Sequence, residues 1–290
     1  PTLLLDLAPT ELTEDEKKLG LDLAHPAVRN RLATTAITTA LKGRPAAFAH
    51  PDRARLLTPG YFDDDLPTLG EVDWVVEAVV ERLDLKQALL SRVAETIGPK
   101  TIVSTNSSGL SVNAMASVLP EDVQRRFLGT HFFFPPRFMY LLELIPGAQT
   151  DPAVVEGLRE FAELRLGKGV VLSEDTPNFV ANRIGIFSTV YAINQQDKYG
   201  LTIEEVDAAS GRALARSVTA TYGTSNLAGT DVLAYAVASH YETAVDDEMR
   251  EQWRLPQWIL DMVAKGYLGE KMGGSFFREK RTLVIDPATL

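Results

Sequence analysis

Short apolar runs alternate with segments of helical spacing along the first half of the chain. TLLLDL, DWVVEAVV and TIVSTN have the length and the Leu, Ile and Val content of buried strands. Apolar residues recur at helical spacing in three segments: residues 13 to 43, LDLKQALLSRVAETIG and the short SVNAMASVL. RFLGTHFFF and LLELI, joined through PPRFMY, have the pattern of two further strands. Strand alternating with helix predicts a parallel α/β sheet.

The pattern changes near residue 150. After one more strand-like run, GKGVVLS, the apolar residues recur at helical spacing in NFVANRIGIFSTVYAINQQDKYG, TIEEVDAASGRAL, DVLAYAVASHYETA and LPQWILDMVAKGYLG. The segment PGAQTDP separates the two patterns. We therefore predict an α/β domain over residues 1–148 and an all-helical domain over residues 149–290.

Composition limits the kinds of partner. The 290 residues include 39 Asp and Glu against 29 Lys and Arg, so the net charge of −10 argues against nucleic acid, whose phosphates need a basic surface. The chain has no cysteine, which removes disulfides and thiolate chemistry and fits a cytoplasmic location. No apolar run approaches the roughly 20 residues of a membrane span. No cluster of Cys or His has metal-ligand spacing, so we predict no metal. An anionic small ligand is compatible with the charge if basic residues gather locally.

His131 stands apart among the four histidines. His25, His50 and His240 lie in segments where a surface or capping role is expected, whereas His131 lies where the strand RFLGTHFFF ends. A hairpin centred on Arg137 would place Glu143 directly opposite His131, with Cβ atoms about 5 Å apart. A carboxylate that holds an imidazole fixes its tautomer and raises its basicity, as a general base requires. A buried ion pair with a purely structural role is the alternative, and the spacing does not decide between them.

Two further stretches carry polar groups of interest. STNSSGL follows a strand, so its hydroxyl and amide groups could bind a ligand or cap the next helix. Asn182 lies on an otherwise apolar helix face, where an unpaired amide is unfavourable. It could bond a ligand or a neighbouring backbone group.

Five stretches, in order, resemble the motifs of the L-3-hydroxyacyl-CoA dehydrogenase family. They are VDWVVEAVVERLDLKQALL, VSTNSSGLSV, GTHFFFPPRFMYLLELIPG, DTPNFVANRIG and GYLGEKMGGSFF, and the likeness runs from Pro1 to about Pro287. The resemblance implies an enzyme that oxidises (S)-3-hydroxyacyl-CoA to 3-ketoacyl-CoA in fatty-acid β-oxidation. In that reaction His131 would be the general base and Glu143 would orient it. Ser108 and Asn182 would contact the substrate.

The resemblance also implies that NAD is the cofactor, bound by an incomplete Rossmann-type domain. Asp6, the acid that ends the first strand, would hold the adenosine ribose. Glu81 and Lys86 would line the cofactor, and Asn106 would lie beside the nicotinamide. The chain contains no G-x-G-x-x-G loop. We therefore expect a first strand, a glycine loop and a helix to precede Pro1 in the working enzyme, and weak NAD binding by these 290 residues alone.

Several residues depart from the family pattern. Phe134 stands where H-F-F-N-P has Asn, and Asn178 stands where P-G-F has Gly. The second change is tolerable if residue 178 has a positive φ, which Asn can adopt. Ser107 replaces Thr, and KMGGSFF rearranges the glycines of the last motif. The departure at Phe134 and the missing glycine loop favour a second hypothesis, a non-catalytic acyl-CoA-binding or dimerisation module, whereas the presence of His131, Glu143, Ser108 and Asn182 disfavours it.

The remaining expectations concern the surroundings of the enzyme. The long lead-in and the tail RTLVIDPATL are similar to longer family members fused to an enoyl-CoA hydratase. Lys42 and Arg44 are candidates for the CoA phosphates, with a solvated helix end as the alternative. The helical second domain suggests a homodimer by analogy with the family.

Overall fold

Two compact units make up the chain, Pro1–Asp175 and Thr176–Leu290. The computed structural model describes the backbone of residues 1–290 and every side chain except that of Lys280. The first unit contains strands and helices in alternation, and the second is mainly helical. Each unit is therefore described by itself.

The strands and helices of the first unit follow the predicted alternation. Its strands are β1 (Thr2–Asp6), β2 (Leu57–Tyr61), β3 (Trp74–Glu77), β4 (Ile102–Thr105), β5 (Phe127–Phe132), β6 (Leu141–Pro146) and β7 (Gly169–Leu172). Its α-helices are α1 (Glu14–Lys18), α2 (Pro26–Arg29), α3 (Arg31–Lys42), α4 (Phe62–Asp65), α5 (Leu83–Ala94), α6 (Val112–Ala116), α7 (Glu121–Gln124) and α8 (Pro152–Arg165). Short 3₁₀ segments occur at Pro51–Leu56 and Leu66–Glu71.

The strands form two sheets. β1 and β2 pair in parallel in a sheet of their own, and the other five strands lie in the order β3-β4-β5-β6-β7. β3, β4 and β5 run parallel, as the alternating pattern predicted, and β6 is antiparallel to β5. The carboxyl ends of β3, β4 and β5 consequently meet at one edge, where ligands bind in open α/β sheets. The sequence did not predict β2, because its LTPGY segment contains both Pro and Gly.

The β5–β6 hairpin has the predicted register. His131 pairs with Glu143, and the flanking pairs are Thr130 with Leu144 and Phe132 with Leu142. Leu142 and Leu144 are buried on the two sides of Glu143. The alternation of the strand places Glu143 on the opposite face from these leucines, and Glu143 is buried as well, so both faces of β6 are covered at this point.

The boundary between the units lies beyond the predicted position near residue 148. β7 pairs in parallel with β6, and α8 buries Val155, Leu158 and Ala162 against the sheet residues Leu142 and Leu144. Both elements therefore belong to the first unit, which extends to Asp175. The change from strand to helix in the sequence pattern does not mark the end of this unit, because α8 is needed to cover the sheet.

The second unit packs around a core of large aromatic side chains. Its helices are α9 (Ala181–Tyr199), α10 (Ile203–Ser210), α11 (Ala220–Ala228), α12 (Thr230–Thr243) and α13 (Gln257–Ala264), with 3₁₀ segments at Arg212–Leu214, Arg250–Gln252, Glu270–Met272 and Glu279–Arg281. A two-residue antiparallel pair, β8 (Phe277–Arg278) and β9 (Leu283–Val284), is the departure from the all-helical prediction. Tyr222, Trp253 and Phe276 are fully buried in the core. Among the described residues, no helix combines the length and hydropathy of a membrane span.

The close packing of β5 generates a testable prediction. An added Cβ at Gly129 would lie 3.0 Å from Ile145 and 3.1 Å from Val112, both buried, so Gly129→Ala should lower the free energy of unfolding by about 1–3 kcal/mol. Gly157 in α8 has nothing within 4 Å of an added Cβ, so Gly157→Ala should raise it by about 0.5–1 kcal/mol. Urea unfolding measures both. Equal effects of the two substitutions would contradict this account of the packing.

Candidate active site

His131 and Glu143 form a buried pair across the β5–β6 hairpin. His131 Nδ1 lies 2.7 Å from Glu143 Oε2, and the two residues are 3% and 0% exposed. An ionised Glu143 carboxylate would only accept hydrogen bonds, so it favours the tautomer of His131 that carries the proton on Nδ1. The Phe133 ring packs on the imidazole with centroids 4.4 Å apart. This arrangement favours one tautomer and one orientation of the imidazole.

A second buried ion pair lies where β3 ends. Lys86 Nζ donates to both carboxylate oxygens of Glu77, at 2.9 and 3.0 Å, and to the Val79 carbonyl at 3.1 Å. Glu81 Oε2 lies 3.4 Å from the same ammonium group. Lys86 and Glu77 are both buried, where an unpaired charge would be strongly unfavourable. The cluster of Glu77, Glu81 and Lys86 is referred to below as the Lys86 cluster.

The Lys86 cluster holds the loop that follows β4. Glu81 Oε1 accepts from the hydroxyl of Ser107 at 2.5 Å and from the backbone amides of Ser108 and Gly109 at 2.9 and 3.3 Å. Thr105 donates its hydroxyl to Glu77 Oε2 at 2.6 Å. The carboxylates of the cluster therefore fix the backbone of the loop, in which Ser108 is an exposed residue.

Asn106 joins the ends of β3, β4 and β5. Its backbone amide donates to the Glu77 carbonyl at 2.7 Å, and its Oδ1 accepts from the Phe132 amide at 2.9 Å. Phe132 directly follows His131. Asn106 thus ties the loop to the strand that carries the imidazole, which places both on one edge of the sheet.

The sequence-predicted site residues fall into three places. Six of them lie at the carboxyl edge of the five-stranded sheet and are linked as described above: His131, Glu143, Asn106, Ser108, Glu81 and Lys86. Asp6 ends β1 in the two-stranded sheet, and its Oδ1 accepts from the Leu7 amide at 2.7 Å. Asn182 lies in the first turn of α9, in the second unit.

Sequence reasoning missed Glu77, although a signal for it exists. Glu77 lies within the apolar run WVVEAVV, where an acid without a partner is unfavourable. Lys86 follows nine residues later on the first helical turns of α5. The cap of α6 is Ser111, which follows the stretch STNSSGL where capping residues were expected; its hydroxyl accepts from the Ala114 amide.

His240 is buried, and the expectation of a surface or capping role is wrong for it. Asn178 Nδ2 lies 3.2 Å from His240 Nδ1, and His240 Nε2 lies 3.0 Å from Asp247 Oδ2. Trp253 stacks on the ring at 3.6 Å, and Arg183 pairs with Asp247 at 2.9 Å. Desolvation by burial lowers the pKa of His240, against the opposing effect of Asp247. The capping role is confirmed for His25 and His50, since Nδ1 of each ring accepts a hydrogen bond from a backbone amide at the start of a helix.

The departure at residue 178 has a structural explanation. Asn178 has φ of 61°, so the left-handed conformation that the sequence comparison required is present. Its amide supplies the contact with His240 that a glycine could not make. The substitution therefore keeps the backbone turn before α9 and adds a side-chain bond.

Comparison with known proteins identifies the family. Residues 14–176 match the family model for the NAD-binding domain of 3-hydroxyacyl-CoA dehydrogenases, and residues 179–279 match the model for their C-terminal domain. The chain belongs to the 3-hydroxyacyl-CoA dehydrogenase family. The Rossmann-type domain, the helical second domain and NAD as the cofactor, all predicted from the sequence, are confirmed by this membership.

Individual relatives agree with this assignment. A probable 3-hydroxyacyl-CoA dehydrogenase of Deinococcus radiodurans is 46% identical over 87% of this chain and 72% of that protein. A protein of the same description from Bacillus subtilis is 40% identical over 100% of this chain, which spans 37% of that protein. The crystal structure of FadB2 from M. tuberculosis superposes with a TM-score of 0.73 at 29% identity, covering 87% and 86% of the two chains.

Removal of the Lys86 ammonium group tests the buried cluster. Lys86→Met would leave the buried Glu77 carboxylate without its cation, so the free energy of unfolding should fall by about 3–5 kcal/mol. Lys17→Met breaks an exposed ion pair of 2.7 Å with Glu14 and should change it by less than about 1 kcal/mol. Chemical denaturation measures both. A Lys86→Met variant as stable as Lys17→Met would show that the cluster does not stabilise the fold.

Burial of His240 generates a pH prediction. Because its pKa is lower in the folded chain than in the unfolded one, the unfolded chain binds the proton first as the pH falls. Stability should therefore decrease as the pH falls below about 6.5, the ordinary histidine pKa. His240→Gln should weaken this dependence between about pH 7 and 5, whereas Glu242→Gln, on the same helix, should not. Urea unfolding across this range decides, and an unchanged slope in His240→Gln would contradict the prediction.

Proposed function

We propose that the chain oxidises (S)-3-hydroxyacyl-CoA to 3-ketoacyl-CoA in fatty-acid β-oxidation, with His131 as the general base. The buried pair of His131 and Glu143 is the observation that supports the proposal. Membership of the family supports the reaction class, and the names of relatives include both 3-hydroxyacyl-CoA and 3-hydroxybutyryl-CoA dehydrogenases. A cytoplasmic location and a homodimer stay predictions from the sequence.

Within this proposal, His131 moves one proton. Its Nε2 takes the proton of the substrate 3-hydroxyl, and the electron pair of that O–H bond forms the second bond of the C3 carbonyl. The C3–H bond breaks at the same time, and its electron pair leaves with the hydrogen as hydride. NAD supplies the acceptor for that hydride when it is bound. The products are a ketone and an imidazolium ion.

Glu143 stabilises the imidazolium ion in this scheme. Its carboxylate accepts the Nδ1 hydrogen bond at 2.7 Å, and both side chains are buried, so opposite charges interact strongly there. The interaction strengthens as the ring becomes charged, so it stabilises the transition state more than the ground state. The same pair would serve the reverse reaction by holding the proton that the imidazolium donates.

Roles are also proposed for the other predicted residues. Ser108, an exposed residue of the loop after β4, is proposed to contact the substrate oxygen, and Asn182, in the first turn of α9, is proposed to bind the substrate as well. Asn106 is proposed to lie beside the nicotinamide, and Asp6 to accept hydrogen bonds from the adenosine ribose at the end of β1. A carboxylate at a strand end and polar loops at the carboxyl edge of a parallel sheet fit the hydroxyl and amide groups of NAD.

Lys86 and Glu81 are proposed as positioning residues for the cofactor loop. The ammonium group of Lys86 is engaged by two carboxylates and a carbonyl. Glu81 is engaged by the loop residues Ser107 and Ser108. We therefore propose that both residues shape the loop that faces the cofactor, in addition to lining its site.

Replacement of His131 tests the proposed base. In the full-length protein, His131→Gln should lower kcat for reduction of acetoacetyl-CoA by NADH about 10²–10⁴-fold, because a positioned acid or base contributes that much. Absorbance of NADH follows the reaction, and circular dichroism checks that the variant is folded.

His50→Gln, which removes an exposed histidine, serves as the control and should retain the wild-type rate. A His131→Gln variant with most of the wild-type rate would refute the base assignment. A wild-type protein that does not oxidise NADH with acetoacetyl-CoA would refute the proposed function itself.

A further inference from the structure

The turn between β5 and β6 exposes an unusual amount of apolar surface. Phe134 is 88% exposed, Tyr140 71% and Phe138 54%, and Met139 is also exposed. Single apolar side chains are common on protein surfaces, whereas a contiguous group of aromatic residues marks a binding surface. The segment 134–140, which carries these four residues, is referred to below as the aromatic turn.

Two cations fix the backbone of the aromatic turn. The Lys168 ammonium group donates to backbone carbonyls of the turn, among them that of Met139 at 2.6 Å. Arg137, within the turn, donates to the carbonyls of Ala46 and Phe48, each at 3.0 Å. The exposed rings are therefore presented on an anchored segment, which lowers the entropy lost when a ligand binds.

The position of the turn in the chain indicates which part of a substrate it would contact. Phe134 follows His131 by three residues, and three residues span at most about 11 Å. The turn therefore begins within about 11 Å of His131, whose imidazole is proposed to act at the substrate C3. An acyl chain extends from C3 as an apolar group, and aromatic and Met side chains are the complementary surface for it. The one cationic side chain of the turn, Arg137, is engaged by backbone carbonyls.

We propose that the aromatic turn binds the acyl chain of the substrate beyond C4 and makes the enzyme selective for longer acyl chains. This inference rests on the function proposed above. Phe134 is the central residue, since its ring is the most exposed of the four and belongs to the departure from the H-F-F-N-P pattern. The aromatic side chains act on substrate specificity, and the chemical step stays with His131.

A comparison of two substrates tests this inference. In the full-length protein, the ratio of kcat/KM for 3-ketodecanoyl-CoA to kcat/KM for acetoacetyl-CoA should fall about tenfold in Phe134→Ala, as expected for loss of apolar contact in a specificity site. Phe134→Leu, which keeps an apolar side chain, should recover most of the ratio. Leu19→Ala removes a comparably exposed side chain, 74% exposed, beside α1 and should leave the ratio unchanged.

Two outcomes of these experiments would overturn the inference. An unchanged ratio in a folded Phe134→Ala variant would do so. A change in oligomeric state on sedimentation, without a change in the ratio, would do so as well by assigning the turn to an interface between copies of the chain.

Binding measurements separate this inference from the proposed function. If the wild-type protein turns over neither substrate, the proposed function fails, and calorimetry with decanoyl-CoA and butyryl-CoA still tests the turn. Phe134→Ala should then weaken binding of decanoyl-CoA about tenfold more than binding of butyryl-CoA. Equal weakening of the two ligands would overturn the acyl-chain assignment.

Discussion

The pairing of buried charges is the constraint on which the candidate site depends. Glu77 and Glu143 are carboxylates within apolar strands, and each is buried. Removal of a carboxylate from water is so unfavourable that each must have a partner of opposite charge or a hydrogen-bond donor. Lys86 and His131 supply these partners, from α5 and from the neighbouring strand. The two pairs hold the carboxyl edge of the sheet in one arrangement.

The register of the β5–β6 hairpin could be predicted because two local constraints agree. The Pro-Pro-Arg turn sets the centre of the hairpin, and the period of two in LLELI sets which residues face the same side. A slip of one residue would move Glu143 away from His131 and place its carboxylate on the face where α8 packs against Leu142 and Leu144. The prediction that His131 lies opposite Glu143 is therefore confirmed, whereas their catalytic roles stay proposals.

Other features could not be read from local patterns. Glu77 and Lys86 lie on different elements, and no periodicity links a strand residue to a helix residue. The burial of His240 depends on Asn178, Asp247 and Trp253, which come from separate parts of the chain. The end of the first unit depends on where α8 packs, and this is a tertiary contact. Local patterns predict elements, whereas these features arise from their assembly.

The two main departures from the family pattern differ in physical kind. Asn178 satisfies a requirement inside the chain, since it adopts the left-handed backbone conformation and contacts His240. Phe134 exposes its ring almost completely, so the interior of the unit does not account for it. A large apolar side chain lowers the solubility of the protein when it is exposed. Its transfer out of water is favourable only when a partner covers it. A departure of the second kind therefore carries information about a ligand, and the first kind carries information about the fold.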